Sequence, residues 1–236
     1  MNFSLPYKNK TLDLYIVEPE LGKSPMILFL HGGSKTLGKE RFQKWQDDLA
    51  KNGISSASFD FVGVGKSTGN FSDSSLADRV NQAICVAEWL HKKYPQNTLD
   101  LYGVSMGGYI ALGVVSRIPF VQKVILQCPG AFSKIAHKLP FNEKFTSELR
   151  RENSWQSSLS FDWFRNYNGQ TLIINHENDK VIPIGITKKY IEIGRRHSKS
   201  QSLTIKNAPH GIWGDTPDAE KYQSQTYEAI LNFTRN

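Results

Sequence analysis

The sequence has few cysteines and no long apolar run. Its only thiols, Cys85 and Cys128, both lie inside apolar stretches, which is typical of buried side chains and argues against a disulfide framework or a metal site. No stretch approaches the roughly 18 apolar residues that a membrane-spanning helix needs. The N-terminal segment MNFSLPYKNK lacks the apolar core of a signal peptide. We therefore expect a cytoplasmic protein with no integral membrane association.

The sequence also lacks the motifs that usually accompany nucleic-acid binding. The formal net charge is +7 over 236 residues, but the lysines and arginines are scattered and are densest between positions 188 and 199. No zinc-ligand spacing and no RNA-recognition aromatic motif accompanies them. Long cationic side chains commonly coat solvated helix faces, so no nucleic-acid partner is expected.

A nucleotide site is unsupported despite the stretch FVGVGKSTGN at positions 61–70. A phosphate-binding loop needs a glycine five residues before Gly65 and a helix that begins at Lys66 and Ser67. The first position is occupied by Asp60, whose charge would repel a polyphosphate, and turn-forming residues follow Ser67. The glycine-lysine-serine sequence is therefore interpreted as chance spacing in a glycine-rich loop.

Short apolar runs alternate with longer segments of helical period, which predicts an α/β fold. The helical segments are 40–52, 75–93 and 107–117, and the strand candidates are 26–30, 54–61, 99–102, 124–126 and 172–174. Such alternation favours a mostly parallel twisted sheet with helices on both faces. Residues 2–7 and 11–17 instead resemble an antiparallel hairpin at the N-terminus.

One interval interrupts the alternation. No clear strand occurs from about 131 to 170, where eight large aromatic residues stand among charges of both signs. An aromatic-rich insertion after a strand is either packing material or a lid over a pocket. We therefore predict a single domain over residues 1–236 with a cap or lid insertion at about 131–170.

The sequence Gly103-Val104-Ser105-Met106-Gly107 follows a predicted strand and opens a predicted helix. A nucleophile on such a sharp turn needs neighbours without bulky side chains, so that strand and helix can approach each other. The helix start would also present the Met106 amide to a developing oxyanion. Ser105 is therefore the candidate nucleophile.

A serine nucleophile requires a base and an orienting acid. His210 lies on a loop just beyond the alternating strand at 202–205, and Asp179 lies in the turn after the strand at 172–174. In these places His210 could act as the base and Asp179 could hold its tautomer. His176 and Glu177 are neighbouring alternatives, although His176 continues the strand.

The second oxyanion donor is expected from the loop after the first buried strand. There the sequence reads His31-Gly32-Gly33-Ser34, and the glycines allow the backbone to approach the nucleophile. The amide of Gly33, or alternatively of Ser34, would face the oxyanion. His31 is interpreted as a structural brace of this loop.

These motifs, in this order, resemble those of the α/β-hydrolase superfamily over nearly the whole chain. The closest pattern is that of small intracellular esterases of the cinnamoyl (feruloyl) esterase and monoacylglycerol lipase type. The resemblance implies a Ser105, His210 and Asp179 triad, with no cofactor and no metal. It also implies that 60–67 is a structural loop near the active site.

The sequence thus predicts a serine hydrolase that cleaves carboxylic esters through an acyl-enzyme intermediate, with a small-molecule acyl ester as its substrate. A thioesterase, an aminopeptidase or an acyltransferase on the same fold remains open, as does a hydrolase-derived ligand-binding protein. Neither the acyl group nor the oligomeric state follows from the residues.

Overall fold

The computed structural model describes residues 1–19 and 25–236 as a sheet flanked by helices. Its strands are β1 (Asn2–Tyr7), β2 (Lys10–Val17), β3 (Met26–Leu30), β4 (Ser55–Phe59), β5 (Leu99–Val104), β6 (Val121–Gln127), β7 (Gln170–Asn178) and β8 (Ser200–Pro209). The α-helices are α1 (Gln43–Lys51), α2 (Leu76–Lys93), α3 (Met106–Val115), α4 (Glu143–Arg150), α5 (Leu159–Asn166), α6 (Ile184–Gly194) and α7 (Ala219–Arg235). Among these described residues, no helix has both the length and the apolar character needed to cross a bilayer.

The strand order is β1-β2-β4-β3-β5-β6-β7-β8. The β1–β2 and β2–β4 pairs are antiparallel, and all remaining neighbours are parallel. The predicted fold class is therefore confirmed. After β3 the chain moves to one side to form β4 and then crosses to the other side to form β5. Ligand sites in such sheets lie beyond the carboxyl ends of the strands at this reversal.

Helices cover both faces of the sheet, which explains why its central strands are continuously apolar. Every residue of β3 is buried. Ile27 and Phe29 pack in the cluster formed with α1 and α7, whereas Leu28 and Leu30 pack in the cluster that includes α2, α3 and α6. Successive side chains of a strand point to opposite faces, so MILFL contributes to both clusters.

The predicted helices form with small shifts at their ends. The Ser75 hydroxyl caps α2 by accepting a hydrogen bond from the Asp78 amide at 3.1 Å. The predicted helix at 40–52 begins as a 3-10 turn over Lys39–Phe42 before α1. The predicted strand at 54–61 ends at Phe59 as β4, and a turn follows in which the Val64 amide donates to the Phe61 carbonyl at 2.9 Å.

The segment between β6 and β7 contains α4 and α5, and Gln170 already begins β7. Most of its aromatic rings are buried, so they form much of the segment's own interior: Phe141, Phe145, Phe161, Phe164 and Tyr167. Helix α5 packs against α3 and α6. The part before α5 is tied to the start of α2, where the Phe141 amide donates to the Ser74 carbonyl at 3.0 Å. Movement of this segment as a lid stays a prediction.

Candidate active site

Ser105 lies at the sharp turn between β5 and α3. Its backbone has φ +57° and ψ −118°, a combination that L-residues rarely adopt. The Ser105 amide donates to the Gln127 carbonyl at 2.9 Å, and the Ser105 carbonyl accepts from the Gly108 and Gly130 amides at 3.1 and 2.9 Å. These bonds hold the strained turn through the Ser105 backbone and do not involve its hydroxyl.

The glycines on either side of Ser105 are required by close backbone contacts. A Cβ on Gly103 would lie 2.3 Å from the Gly107 carbonyl oxygen, and a Cβ on Gly107 would lie 2.1 Å from the Leu30 carbonyl oxygen. Neither backbone position can accept a side chain without moving the strand or the helix. The glycine spacing in the sequence therefore reports a real steric demand at this turn.

The register of β7 and β8 places His210 beside Asp179. Asn178 pairs with Pro209 across the two strands, so the residue after each strand emerges at the same edge. His210 Nδ1 lies 2.7 Å from Asp179 Oδ2, and His210 Nε2 lies 3.1 Å from Ser105 Oγ. The structure thus brings together the three residues that the sequence singled out.

Asp179 is held as a carboxylate. Its Oδ1 atom accepts hydrogen bonds from the Val181 and Ile182 amides at 2.8 and 2.9 Å. Burial by itself would raise the pKa of Asp179, but hydrogen bonds from His210 and from these two amides lower the pKa below its usual value. With Nδ1–H of His210 directed at Asp179, Nε2 is free to accept the Ser105 hydroxyl proton.

The alternative pair, His176 and Glu177, supports the histidine loop from β7. His176 is buried; its Nδ1 donates to the Pro209 carbonyl at 2.5 Å, and its Nε2 faces the Gln127 side-chain amide at 3.1 Å. Glu177 accepts from the Asn207 amide at 2.9 Å. Both side chains therefore bind groups at the carboxyl ends of the strands rather than Ser105.

The loop after β3 lies against the Ser105 turn. Leu30 pairs with Gly103, so β3 and β5 end side by side. A Cβ on Gly32 would be 3.4 Å from the Ser105 Cβ, and a Cβ on Gly33 would be 3.0 Å from the Met106 Cε. The backbone at these two glycines is therefore close enough to face a group bound to Ser105.

His31 braces this loop from inside the protein. Its Nδ1–H donates to the Gly32 carbonyl at 2.9 Å, and its Nε2 accepts from the Phe61 amide at 3.4 Å. Burial, followed by the Arg79 charge, lowers the pKa of His31 well below its usual range. The Ser34 hydroxyl accepts from the Leu37 amide at 2.9 Å and so closes the next turn.

Cys128 is a neighbour of the site that sequence analysis did not find. It directly follows β6, and its thiol lies with Asp179 and His210 in a group whose ligand-type atoms are all within 4.8 Å of one another. Burial raises the pKa of the Cys128 thiol well above its usual value, and the Asp179 charge adds to this rise. A buried thiol of this kind is a poor nucleophile. The signal available in the sequence was that Cys128 follows the predicted strand at 124–126, as Asp179 follows the predicted strand at 172–174.

Comparison with known proteins identifies the family of the chain. A family model described as "Serine aminopeptidase, S33" matches residues 23–168, more than half of the chain. The chain belongs to this family. The matched region of this S33-family chain contains Ser105 and the Gly32–Gly33 loop, while Asp179 and His210 lie beyond it.

Curated relatives of this S33-family chain are distant. The lysophosphatidylserine lipase ABHD12 of Xenopus tropicalis is 27% identical over 223 residues, which cover 84% of this chain and 54% of that protein. Human protein ABHD12B is 25% identical over 190 residues, which cover 73% of this chain and 50% of that protein. The chain thus spans about half the length of the curated relatives it matches.

Solved structures similar to this S33-family chain share its fold over nearly the whole length. Est1E from Butyrivibrio proteoclasticus, solved with ferulic acid bound, has a TM-score of 0.76 at 16% identity and covers 99% of this chain and 100% of its own. The propionate-bound esterase Est2 of Thermogutta terrifontis has a TM-score of 0.73 at 19% identity, covering 96% and 89%. At these identities the likeness establishes the α/β-hydrolase fold.

Proposed function

We propose that the chain is a carboxylic ester hydrolase that works through an acyl-enzyme intermediate. The observation that carries the proposal is that His210 is hydrogen-bonded on both sides. Its Nε2 lies 3.1 Å from the hydroxyl of Ser105, at the strained turn after β5, and its Nδ1 lies 2.7 Å from the carboxylate of Asp179. Ser105 attacks the acyl carbonyl while His210 Nε2 takes its proton. His210 returns that proton to the leaving alcohol, and Asp179 stabilises the imidazolium formed in between. Water then releases the acyl group by the same steps.

The amides of Gly33 and Met106 are proposed to bind the oxyanion. Met106 is the first residue of α3, so its N–H belongs to the unpaired donors at a helix start. The Gly32–Gly33 backbone lies against Ser105 and Met106 on the other side. Two donors aimed at the developing charge supply the stabilisation that acyl transfer requires. Apart from the ester and the water that hydrolyses the acyl-enzyme, the proposed steps use only groups of this chain and call for neither a metal nor a cofactor.

The proposed substrate is a small-molecule acyl ester. A cleft of about 790 Å³ opens beside His210 and is lined in part by Val181, Pro209, Thr216 and Tyr222. Because His210 protonates the departing alcohol, a cleft on its side suits the leaving group. The similar proteins described above include a lipase and an esterase, which supports an ester rather than another acyl compound as the substrate.

The test is active-site labelling combined with turnover. A fluorophosphonate probe, followed by peptide mass spectrometry, should label Ser105, and Ser105→Ala should lose both labelling and hydrolysis of p-nitrophenyl acetate, butyrate and octanoate. Ser116→Ala is a matched control, because this serine caps the far end of α3 and should keep full activity. Labelling of another serine, or wild-type turnover by Ser105→Ala, would refute the proposal.

An aminopeptidase is the second candidate, because the matching family model carries that description. The same triad can expel an amine, so the leaving group must be measured directly. Each enzymatic rate is first divided by the rate of uncatalysed hydrolysis of the same compound. After this correction, amino-acid p-nitroanilides should be cleaved at least tenfold more slowly than the matched p-nitrophenyl esters. Faster, multiple-turnover cleavage of the anilides would instead assign the chain to peptide substrates, and tight retention without turnover would indicate a binding protein.

A further inference from the structure

Arg79 is a fully buried cation that forms no ion pair with any residue the structure describes. It lies in the first turn of α2, and its relative exposure is 0%. The rings of Phe61, Phe71 and Phe141 surround its guanidinium, with centroids 4.7 to 4.8 Å away. Among residues 1–19 and 25–236, its Nε and Nη2 atoms have no hydrogen-bond partner. Burial lowers the pKa of Arg79 to about 9.

A second buried cation near this edge of the sheet is neutralised in the usual way. Lys39 is 3% exposed, and its ammonium pairs with the carboxylates of Asp13 and Asp60, the latter at 3.1 Å. Buried charges are normally paired like this, because an unpaired one is costly. The state of Arg79 therefore needs an explanation other than fold stability.

The polar contacts of Arg79 lead to both elements proposed to bind the oxyanion. Its Nη1 donates to the Gly32 carbonyl at 3.4 Å and contacts the Met106 Sδ at 3.3 Å. The same Met106 side chain lies under Gly33, since a Cβ there would meet its Cε at 3.0 Å. One guanidinium thus supports the loop after β3 and the first residue of α3 together.

Because a peptide bond is planar, holding the Gly32 carbonyl also fixes the direction of the Gly33 N–H. In a trans peptide the carbonyl of Gly32 and the N–H of Gly33 point in opposite directions, and no cis peptide occurs in the described residues. Arg79 and His31 both hold the Gly32 carbonyl from the protein interior. The Gly33 N–H is consequently directed away from them, toward the open side of the loop.

We propose that Arg79 is a positioning residue for the oxyanion: it fixes the Gly32–Gly33 peptide and the Met106 side chain, and its unpaired charge favours the negative charge that develops on the acyl oxygen. The inference rests on the proposed hydrolase function. The ground state contains no new anion and the tetrahedral state does, so the stabilisation acts on the transition state. The oxyanion formed in the reaction is thus the negative charge that partners the Arg79 guanidinium.

This role predicts that activity and stability respond in opposite directions. Removing a buried unpaired charge relieves a cost in the folded state, so Arg79→Met should not unfold more easily than the wild type. The same change should lower kcat on p-nitrophenyl butyrate by roughly ten- to a hundredfold and weaken inhibition by an alkylboronic acid by a similar factor, with KM within twofold. The boronic acid forms an anionic tetrahedral adduct and therefore reports on oxyanion binding.

The control is Arg41→Met. Arg41 is also largely enclosed: its guanidinium lies 5.1 Å from the Trp213 ring and donates to the Leu37 carbonyl at 2.9 Å. Within the described part of the chain it forms no hydrogen bond with Gly32 or Met106. It should keep kcat and boronate affinity within twofold. Arg79→Lys, which retains a charge, should recover most of the activity that Arg79→Met and Arg79→Gln lose.

The inference is overturned if Arg79→Met keeps kcat and boronate affinity within twofold, or if its loss of activity only follows a lower urea midpoint. If Arg79→Met fails to fold, the comparison moves to Arg79→Lys and Arg79→Gln. Equal kcat values in these two variants would overturn the inference, and a kcat at least tenfold higher in Arg79→Lys would support it. Labelling of Ser105 by a fluorophosphonate is measured in every protein. An unlabelled, inactive wild type would refute the hydrolase function itself, whereas an active wild type matched by Arg79→Met would refute only the role of Arg79.

Discussion

Two serine and aspartate pairs in this molecule look alike in sequence and differ in their surroundings. Ser105 and Ser67 each lie among glycines in a turn after a buried strand, and Asp179 and Asp60 each follow a strand end. Ser105 Oγ faces the imidazole of His210 at 3.1 Å. Ser67 is 7% exposed, and its hydroxyl donates to the Asp60 carbonyl. Glycines around a serine therefore indicate close backbone approach at both turns. The two serines differ in the hydrogen-bond partner of their hydroxyl, which is an imidazole for Ser105 and a backbone carbonyl for Ser67.

The two aspartates differ in the same way. Asp60 accepts from the Lys39 amide at 2.8 Å and from its ammonium at 3.1 Å, and it also receives the Lys66 amide at 3.3 Å. Burial raises the pKa of Asp60, and Lys39 offsets only part of this effect. The pKa of Asp179 is instead lowered, because the bonds that Asp179 receives outweigh its burial. One carboxylate accepts hydrogen bonds within its loop, and the other is hydrogen-bonded to a histidine.

The largest expected effect follows from removing the charge of Asp179. Asp179→Asn should reduce kcat by about 10³- to 10⁴-fold, because the amide favours the wrong tautomer of His210 and cannot stabilise the imidazolium. Steady-state rates on p-nitrophenyl esters and a urea titration would measure this. Glu177→Gln is the control, since Glu177 binds the Asn207 amide, and its kcat should stay within a few-fold. Equal losses in both variants would contradict the assignment of the acid.

The second effect falls on folding rather than on chemistry. Asp60→Ala should lower the free energy of unfolding by about 3 to 5 kcal/mol, because it removes a carboxylate from the buried Lys39 ammonium. The folded fraction should retain its kcat. The control is Asp73→Ala, since the pair of Asp73 with Lys10 is partly exposed at 39% and 22% and should contribute much less to stability. A tenfold loss of kcat at full folding would instead place Asp60 in the reaction.

The fold was predictable because its signals are local and repeated. The apolar run at 26–30, the helical period at 75–93 and the hairpin pattern at 2–17 each depend on neighbouring residues, and all three form as predicted. The positions of Ser105, Asp179 and His210 were also accessible, because residues that follow parallel strands meet at one edge of the sheet. Their catalytic roles stay predictions.

The rest of the site depends on contacts between distant segments, which a single sequence does not reveal. Arg79 lies three residues after Leu76 and directly before Val80, so a charge on the apolar face of α2 was visible. Its contact with the Gly32 carbonyl joins residues 47 positions apart. Cys128 likewise reaches Asp179 only through the pairing of β6 with β7. The hydrophobic period of a helix or strand predicts that such residues are buried, but it does not predict which residues they contact.

The third prediction separates backbone strain from steric contact. Gly65 has φ +52°, and a Cβ there would lie 2.2 Å from Asp60 Oδ2. Gly53 has φ +76° with nothing within 4 Å of the added atom. Gly53→Ala should therefore lower the free energy of unfolding by about 1 kcal/mol and Gly65→Ala by about 3 kcal/mol. Urea titrations of both variants provide the measurement. Equal losses would mean that Asp60 yields easily and does not fix the loop.

The smallest effect is expected at Lys66, the residue that makes this loop resemble a phosphate site. Its side chain is exposed, and the stretch after Ser67 leads to a 3-10 turn over Phe71–Asp73 rather than to an α-helix. Lys66→Ala should therefore leave esterase kcat unchanged and alter the free energy of unfolding by less than about 0.5 kcal/mol. ATP or GTP with Mg²⁺ should not shift the melting temperature of either protein. A nucleotide-dependent shift that disappears in Lys66→Ala would reverse the comparison, because the loop would then bind a ligand through its lysine.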